Sequence, residues 1–364
     1  MKICFFGWKR AFDYYQIGGT ESYVRRLASG LVDLGHEVTY VMYGASKRET
    51  VLPKGFNATL VYEQKFEDAL KQLERRDFEI VVSIYVHPKY RPGFFLFRKR
   101  TKRRTIFSTI LFSRFRSKPK LLLGSMDLHS YDSVFTVSER IKEQVARLGV
   151  RSEVLPPPVS DVFFEAAKKR IPSEDGRIRI GYIGRADYGK GFDIAVDIMR
   201  SLDKTKYSSS ILTYSWPEKD YEIRPDDFHD WGIKLEITRY ETYSDAIDRK
   251  IGAFLQENQM MIFPFRTLDT TIDTPLSLIE SIVAGCKVVI PNDNGLISFF
   301  KKYRLEALAF KDNKVLAETL HKVANQVSFE SSINSVNLEV FRPEGIAIKL
   351  LKPLPKGSEN IEKN

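Results

Sequence analysis

Ile180-Gly181-Tyr182-Ile183-Gly184-Arg185-Ala186-Asp187-Tyr188-Gly189-Lys190-Gly191-Phe192-Asp193 runs from an apolar strand through a glycine-bearing turn into the start of a helix. A helix start leaves backbone N–H groups unpaired and partially positive, and glycine lets the main chain approach a phosphate closely. Arg185 and Lys190 add two full charges to the same turn, so an anion is the expected guest at Gly184–Lys190. The plainer alternative is a tight turn with two solvated cations. Gly184 to Lys190 also satisfies the G-x-x-x-x-G-K spacing of a P-loop, but Gly191 stands where that motif needs a Ser or Thr hydroxyl for Mg²⁺. The later apolar strand Gln259–Phe263 ends in Pro264 rather than in a metal-holding Asp.

The alternation of strand and helix extends outward from this turn in both directions. Downstream, the spacing predicts helix Phe192–Leu202, strands Ser209–Tyr214 and Lys234–Ile237, helix Ser244–Gln256, strand Gln259–Phe263, helix Pro275–Ala284 and strand Lys287–Ile290. Upstream, Leu155-Pro156-Pro157-Pro158 can continue neither a helix nor a central strand, so a domain boundary is expected near residue 160. Before it lie a strand at residues 2–7 and the Gly18-Gly19-Thr20-Glu21 turn. That turn leads into a helix carrying Tyr23, Val24, Leu27, Ala28, Leu31 and Leu34, which Gly35 stops. Strands are expected at His36–Tyr43, Ala58–Tyr62, Phe78–Val86 and Ser133–Val137, with helices at Lys65–Leu73 and from an N-cap at Ser138 to Leu148. Such alternation implies parallel sheets covered on both faces. The 364 residues suit two domains of about 150 each, 1–160 and 161–337, with a polar tail at 356–364 expected to be disordered.

A second constellation follows the strand Gln259–Phe263. Thr274 is a plausible N-cap and Pro275 a plausible first helical residue, which gives another helix N-terminus open to an anion. Ser277, Glu280 and Ala284 share one helix face beside the apolar stripe of Leu276, Ile279 and Val283. A carboxylate at Glu280 suits the two adjacent hydroxyls of a ribose; a solvated helix residue is the ordinary alternative.

The net charge of +10 favours acidic partners, and it is unevenly distributed. No Asp or Glu occurs from Ile80 to Met126, while Arg98, Lys99, Arg100, Lys102, Arg103, Arg104, Arg114, Arg116, Lys118 and Lys120 crowd that stretch just after Phe94-Phe95-Leu96-Phe97. Aromatics beside cations suit an anionic membrane surface, with a solvated loop as the alternative. Nucleic acid is disfavoured, because no recognisable nucleic-acid module accompanies the charge. No run approaches the roughly 18 apolar residues of a membrane span, and the amino terminus lacks a secretory pattern, so a cytoplasmic protein, peripheral at most, is expected. Cys4 and Cys286 read as buried small hydrophobes. No Asp/His constellation calls for a metal.

The turn with Arg185 and Lys190, followed by the Pro-bearing loop and Glu280, resembles the donor half of retaining GT-B glycosyltransferases, and family 4 in particular. The resemblance reaches the first domain through Gly18-Gly19-Thr20-Glu21, Leu34-Gly35-His36-Glu37-Val38, Val137-Ser138 and Leu155-Pro156, and so covers most of the chain. It implies two Rossmann-like, doubly wound α/β domains facing across a cleft. The first would hold an acceptor, the second a UDP- or GDP-sugar as co-substrate, and residues 338–355 would return to the first domain. It implies hexosyltransferase-type chemistry with retention of configuration, no obligatory cofactor, and an acceptor that is lipid-linked if the basic stretch meets a membrane. Donor contacts would come from Gly18, Gly19, Gly184, Arg185, Lys190, Asp273, Thr274, Ser277 and Glu280. The family's first Glu should stand at position 272, which is Ile272 here; Asp273, or less directly Asp269, is the nearest substitute. The family's first-domain His is absent from Ile106–Leu111, which leaves His87, then His129, as candidates. A P-loop-like phosphotransferase and a catalytically degenerate GT-B binding protein remain the alternative functions.

Overall fold

The computed structural model describes residues 1–12, 18–44, 58–101, 104–113, 127–216, 223–238, 245–268, 273–305, 307–310 and 338–352. Contacts divide the chain into two units. One comprises Met1–Asp13, Leu27–Pro156 and Pro343–Asn364; the other comprises Tyr14–Arg26 and Pro157–Arg342. The expected tail 356–364 lies outside the described residues.

The first unit is built on seven strands: β1 (Lys2–Trp8), β2 (Glu37–Tyr43), β3 (Thr59–Glu63), β4 (Ile80–Tyr85), β5 (Ile106–Leu111), β6 (Ser133–Thr136) and β7 (Glu153–Val154). They form one sheet in the order β3-β2-β1-β4-β5-β6-β7, every pair parallel. Parallel strands covered on both faces read as unbroken apolar runs, which is why Ile3–Phe6 and Ile80–Val82 are buried without alternation. The register of β1 against β4 slips between Phe6 and Gly7, so that Ile84 is passed over and Gly7 pairs with Tyr85.

Helices α1 (Gly19–Asp33), α2 (Phe66–Arg75), α3 (Arg91–Thr101) and α4 (Glu139–Ala146) precede the boundary. Gly35 follows α1 at φ +80°, the left-handed stop expected of it. Ser138 Oγ accepts the Ile141 N–H at 3.2 Å, so α4 is capped where the sequence places its cap, but it ends at Ala146, short of Leu148. The sequence reading has no helix at α3, whose start carries Pro92-Gly93. The structure places both in the first turn, where proline costs no hydrogen bond.

The second unit contains β8 (Ile178–Gly184), β9 (Tyr207–Thr213), β10 (Ile233–Ile237), β11 (Met260–Ile262), β12 (Lys287–Pro291) and β13 (Leu308–Phe310), ordered β10-β9-β8-β11-β12-β13 and again all parallel. Its helices are α5 (Asp161–Lys168), α6 (Phe192–Ser201), α7 (Asp227–Asp230), α8 (Asp245–Glu257), α9 (Leu276–Val283) and α10 (Asn294–Tyr303); α11 (Pro343–Leu351) belongs to the first unit. The core under α6 joins Ile180, Tyr182, Phe192, Val196, Met199, Ile211 and Ile262. One cap differs from expectation. Pro275, with φ −60° and ψ 130°, is the N-cap of α9, and Thr274 lies outside the helix, because the extended ψ of Pro275 delays the first helical residue to Leu276. Cys4 and Cys286 are free and buried.

Candidate functional site

In the second unit the strand order reverses between β8 and β11, and the crevice beyond the carboxyl ends of such strands is where open α/β sheets take ligands. The Arg185–Lys190 turn follows β8, and Phe263-Pro264-Phe265-Arg266 follows β11. The two loops are bonded together: Gly189 O accepts the Arg266 N–H at 3.1 Å and the Thr267 N–H at 3.3 Å. Gly191 sits at φ +69°, and a Cβ there would lie 1.8 Å from the Pro264 carbonyl oxygen. The position therefore admits neither the backbone nor the volume of a Ser or Thr, which removes the P-loop reading of this turn.

The turn is held from several sides. Tyr182 donates its hydroxyl to Arg185 O at 3.0 Å, and Asp187 Oδ1 accepts the Lys190 N–H at 3.3 Å. Arg266 forks onto Asp193, with Nη2 to Oδ2 at 2.6 Å, and its guanidinium lies 3.8 Å from the Tyr188 ring centroid. Lys190 Nζ stands 5.2 Å from the centroid of Phe265. Burial, and then the charge of Arg185, lower the Lys190 ammonium to a pKa of about 8. Asp187 acts in the opposite direction on Lys190, and a bound anion at this switch point would further offset the burial and the repulsion.

Glu280 is in a different setting from the one its sequence position suggests. It is 4% exposed, and its Oε1 is 2.7 Å from Arg26 Nη1. Arg26, from the first turns of α1, also reaches Asp248 Oδ1 at 2.9 Å and Pro158 O at 3.4 Å, and lies 5.2 Å from the Phe163 centroid. Burial pushes the Glu280 carboxyl up, Arg26 draws it down, and Asp248 pushes it up again. Asp273 and Thr274 are buried, and Ser277 O accepts the Ser281 hydroxyl at 2.7 Å. Ile272 and Asp269 lie outside the described residues. Gly18 and Gly19 open α1 with Gly18 O accepting the Ser22 N–H at 3.1 Å, and contacts place this glycine pair in the same unit as the Arg185 turn. A Cβ on Gly18 would lie 2.1 Å from Glu21 Oε2.

Sequence reading missed Arg26, Asp248, Asp193, Phe265 and Arg266 as parts of this arrangement. The signal for Arg266 was its place just after an apolar strand at the switch point. No sequence signal joins Arg26 to Glu280.

In the first unit, His87 caps the turn Pro88–Tyr90, its Nδ1 accepting the Lys89 N–H at 3.3 Å. The His129 ring instead meets Leu148 O at 3.1 Å. The basic stretch needs one correction. Arg98 is 1% exposed, paired with Asp127 Oδ1 at 2.5 Å and flanked by the Phe94 and Tyr131 rings at 4.6 and 3.8 Å. It is a core ion pair and presents nothing to a partner, because it lies on the buried face of α3, one turn from Phe94. Lys99, Arg100 and Arg104 are exposed, with Arg100 meeting Glu74 at 3.0 Å. Lys102, Arg103, Arg114, Arg116, Lys118 and Lys120 lie outside the described residues. Among the described residues no helix is long and apolar enough to cross a membrane, and no cluster of three His, Cys, Asp or Glu side chains could hold a metal.

Residues 17–162 match the model of Glycosyltransferase Family 4. No curated protein sequence is significantly similar to the chain. Solved structures match it over nearly its whole length. HepE of Anabaena, in complex with UDP and glucose, superposes with a TM-score of 0.66 at 12% identity, covering 96% of this chain and 98% of that one. The α,α-trehalose 6-phosphate synthase of Burkholderia multivorans gives 0.65 at 12%, covering 96% and 97%. The lipopolysaccharide outer core galactosyltransferase WaaB gives 0.63 at 14%, covering 96% and 99%. The chain thus has the GT-B fold of two Rossmann-like domains, and its residues 17–162 match Glycosyltransferase Family 4.

Proposed function

We propose that the chain is a hexosyltransferase-type glycosyltransferase that binds the diphosphate of a nucleotide-sugar between Arg185 and Lys190. The observation that carries this reading is the placement of half-buried Lys190, with Arg185 in the same turn, at the β8/β11 switch point, where Gly189 ties that turn to the loop after β11. Cleavage of the donor's glycosidic bond leaves negative charge on the nucleotide diphosphate. A pre-organised cationic site stabilises that charge more in the transition state than in the ground state. The Asp193–Arg266 fork and the Gly189 carbonyl keep the turn rigid, so little reorganisation accompanies the reaction. Glu280, held by Arg26, lines the neighbouring helix as the proposed ribose-side carboxylate, and Asp273 is the proposed stand-in for the missing first Glu. Resemblance to retaining enzymes supports retention of configuration.

The test is binding and turnover with a panel of UDP- and GDP-sugars. Lys190→Ala and Arg185→Ala are each expected to lose on the order of 10²–10³ in kcat. Near-normal turnover in both variants would refute the assignment, and absence of any nucleotide binding would favour a degenerate binding protein.

The outer face of α3 is the proposed membrane contact. Leu96 is 66% exposed there, beside Lys99, whose Nζ lies 4.8 Å from the Phe95 centroid, and Arg100. Apolar and cationic groups on one face favour anionic headgroups. Flotation with phosphatidylserine vesicles at low salt is expected, and Leu96→Glu should abolish it; no flotation of the parent protein would exclude the contact.

A further inference from the structure

The sheet of the first unit has its own switch point, between β1 and β4, and aromatic side chains stand at its carboxyl edge. Trp8 ends β1, Tyr85 ends β4, and His87 follows two residues later. The Trp8 and Tyr85 rings are 5.9 Å apart with 34° between their planes, and the His87 ring meets Trp8 edge-on at 5.4 Å. Their placement is built into the backbone. The register slip at Phe6/Gly7 is a bulge of the kind that re-aims side chains near functional sites, and it leaves Ile84 buried and Tyr85 42% exposed. A Cβ on Gly7 would come within 3.0 Å of the Tyr85 carbonyl oxygen. The Trp8 indole edge rests on Gly44, at φ +120°, where a Cβ would lie 2.7 Å from Nε1. Tyr43 accepts the His87 N–H at 2.9 Å, and Tyr43, Phe66 and Tyr90 pack behind it.

The polar edges of these rings point to a ligand. The Trp8 Nε1 edge is taken up against Gly44, but among the described residues nothing hydrogen-bonds the Tyr85 hydroxyl or His87 Nε2. Because His87 Nδ1 accepts from Lys89, the proton of the neutral ring sits on Nε2, which is then a donor. Half-exposed aromatic faces edged with donors match a pyranose ring, whose C–H face is apolar and whose rim carries hydroxyls. A lipid chain has no use for the donors. We propose that Trp8, Tyr85 and His87 form a saccharide subsite of this unit that takes a pyranose of the acceptor; its role as acceptor site rests on the glycosyltransferase reading above.

The test uses the full chain labelled with 5-fluorotryptophan, whose three tryptophans give three fluorine resonances, with that of Trp8 assigned through Trp8→Phe. Methyl α- and β-glycosides of glucose, galactose and mannose are titrated, and UDP and GDP binding are followed separately by thermal shift. At least one glycoside is expected to move the Trp8 resonance and leave those of Trp216 and Trp231 in place. Tyr85→Ala should weaken that binding about tenfold or more, with the same sense in His87→Ala. No glycoside response at Trp8, an undiminished response in Tyr85→Ala, or a Trp8 response to UDP alone would overturn the proposal. A glycoside response at Trp8 in a protein that binds neither UDP nor GDP would keep the subsite and reject the donor reading instead.

Discussion

Lys190 carries opposed demands that titration can separate. Its folded pKa of about 8 lies below the roughly 10.4 of an unfolded lysine, so its charge opposes folding. That penalty is fully present below about pH 8 and vanishes as pH rises toward the unfolded value. Lys190→Met is therefore expected to melt higher than the parent at pH 7 without nucleotide, and to lose this advantage in alkaline buffer. In the parent, UDP affinity should fall as pH rises through about 8, because binding needs the protonated amine; calorimetry in Lys190→Met should show no such fall. Arg26 presents the complementary case, one buried cation serving two buried carboxylates. Arg26→Met leaves Asp248 and Glu280 without it and should cost about 3–5 kcal/mol in urea denaturation. The triple variant Arg26→Met/Asp248→Leu/Glu280→Leu should recover most of that loss, since the penalty comes from uncompensated charge. Neither role was legible in the sequence. Lys190 could be read as a cation on a turn, but its place over the Phe265 ring depends on a loop 75 positions downstream, and Arg26 looks like any polar residue of an amphipathic helix.

At the scale of elements, two glycines separate space from backbone conformation. Gly30 lies inside α1, and a Cβ there would come 2.5 Å from the Pro343 carbonyl carbon at the start of α11. Gly35, after α1, adopts φ +80° with nothing within 4 Å of a Cβ. Gly30→Ala should thus cost about 1–3 kcal/mol through overpacking, despite alanine's better helix propensity. Gly35→Ala should cost about 1 kcal/mol through the left-handed conformation alone. No loss in Gly30→Ala in chemical denaturation, as helix propensity alone would give, would contradict the distinction. The sequence identifies Gly35 as a stop, since a glycine after a periodic run has a local meaning. It is silent on Gly30, whose constraint comes from a helix more than 300 positions away. The same contrast explains the basic stretch: the charges are countable in the sequence, but only the packing of α3 turns Arg98 inward against Tyr131 and leaves Lys99 and Arg100 outside.

For the molecule as a whole, the proposed donor site falls within one contact unit, so nucleotide binding should act there first. UDP at about 100 times its Kd should stabilise the protein that binds it by about 2.7 kcal/mol. Hydrogen exchange should show the added protection concentrated in residues 178–202 and 260–283, with β1–β7 little changed; protection centred on β1–β7 would move the site to the other unit. Much of this architecture was present in the sequence. Buried parallel strands must be continuous apolar runs, helices between them must show their own period, and the Pro156-Pro157-Pro158 run must interrupt both, because these are local consequences of backbone geometry and solvent. The cationic turn at Arg185 and Lys190 was legible for the same reason, as strand, glycine and charge are contiguous. Strand order, the meeting of the β8 and β11 loops, the exclusion of any side chain at Gly191 and the capture of Glu280 by Arg26 were decided only by the tertiary structure. Each depends on the distance between residues far apart in the chain, and burial and charge act through distance in space.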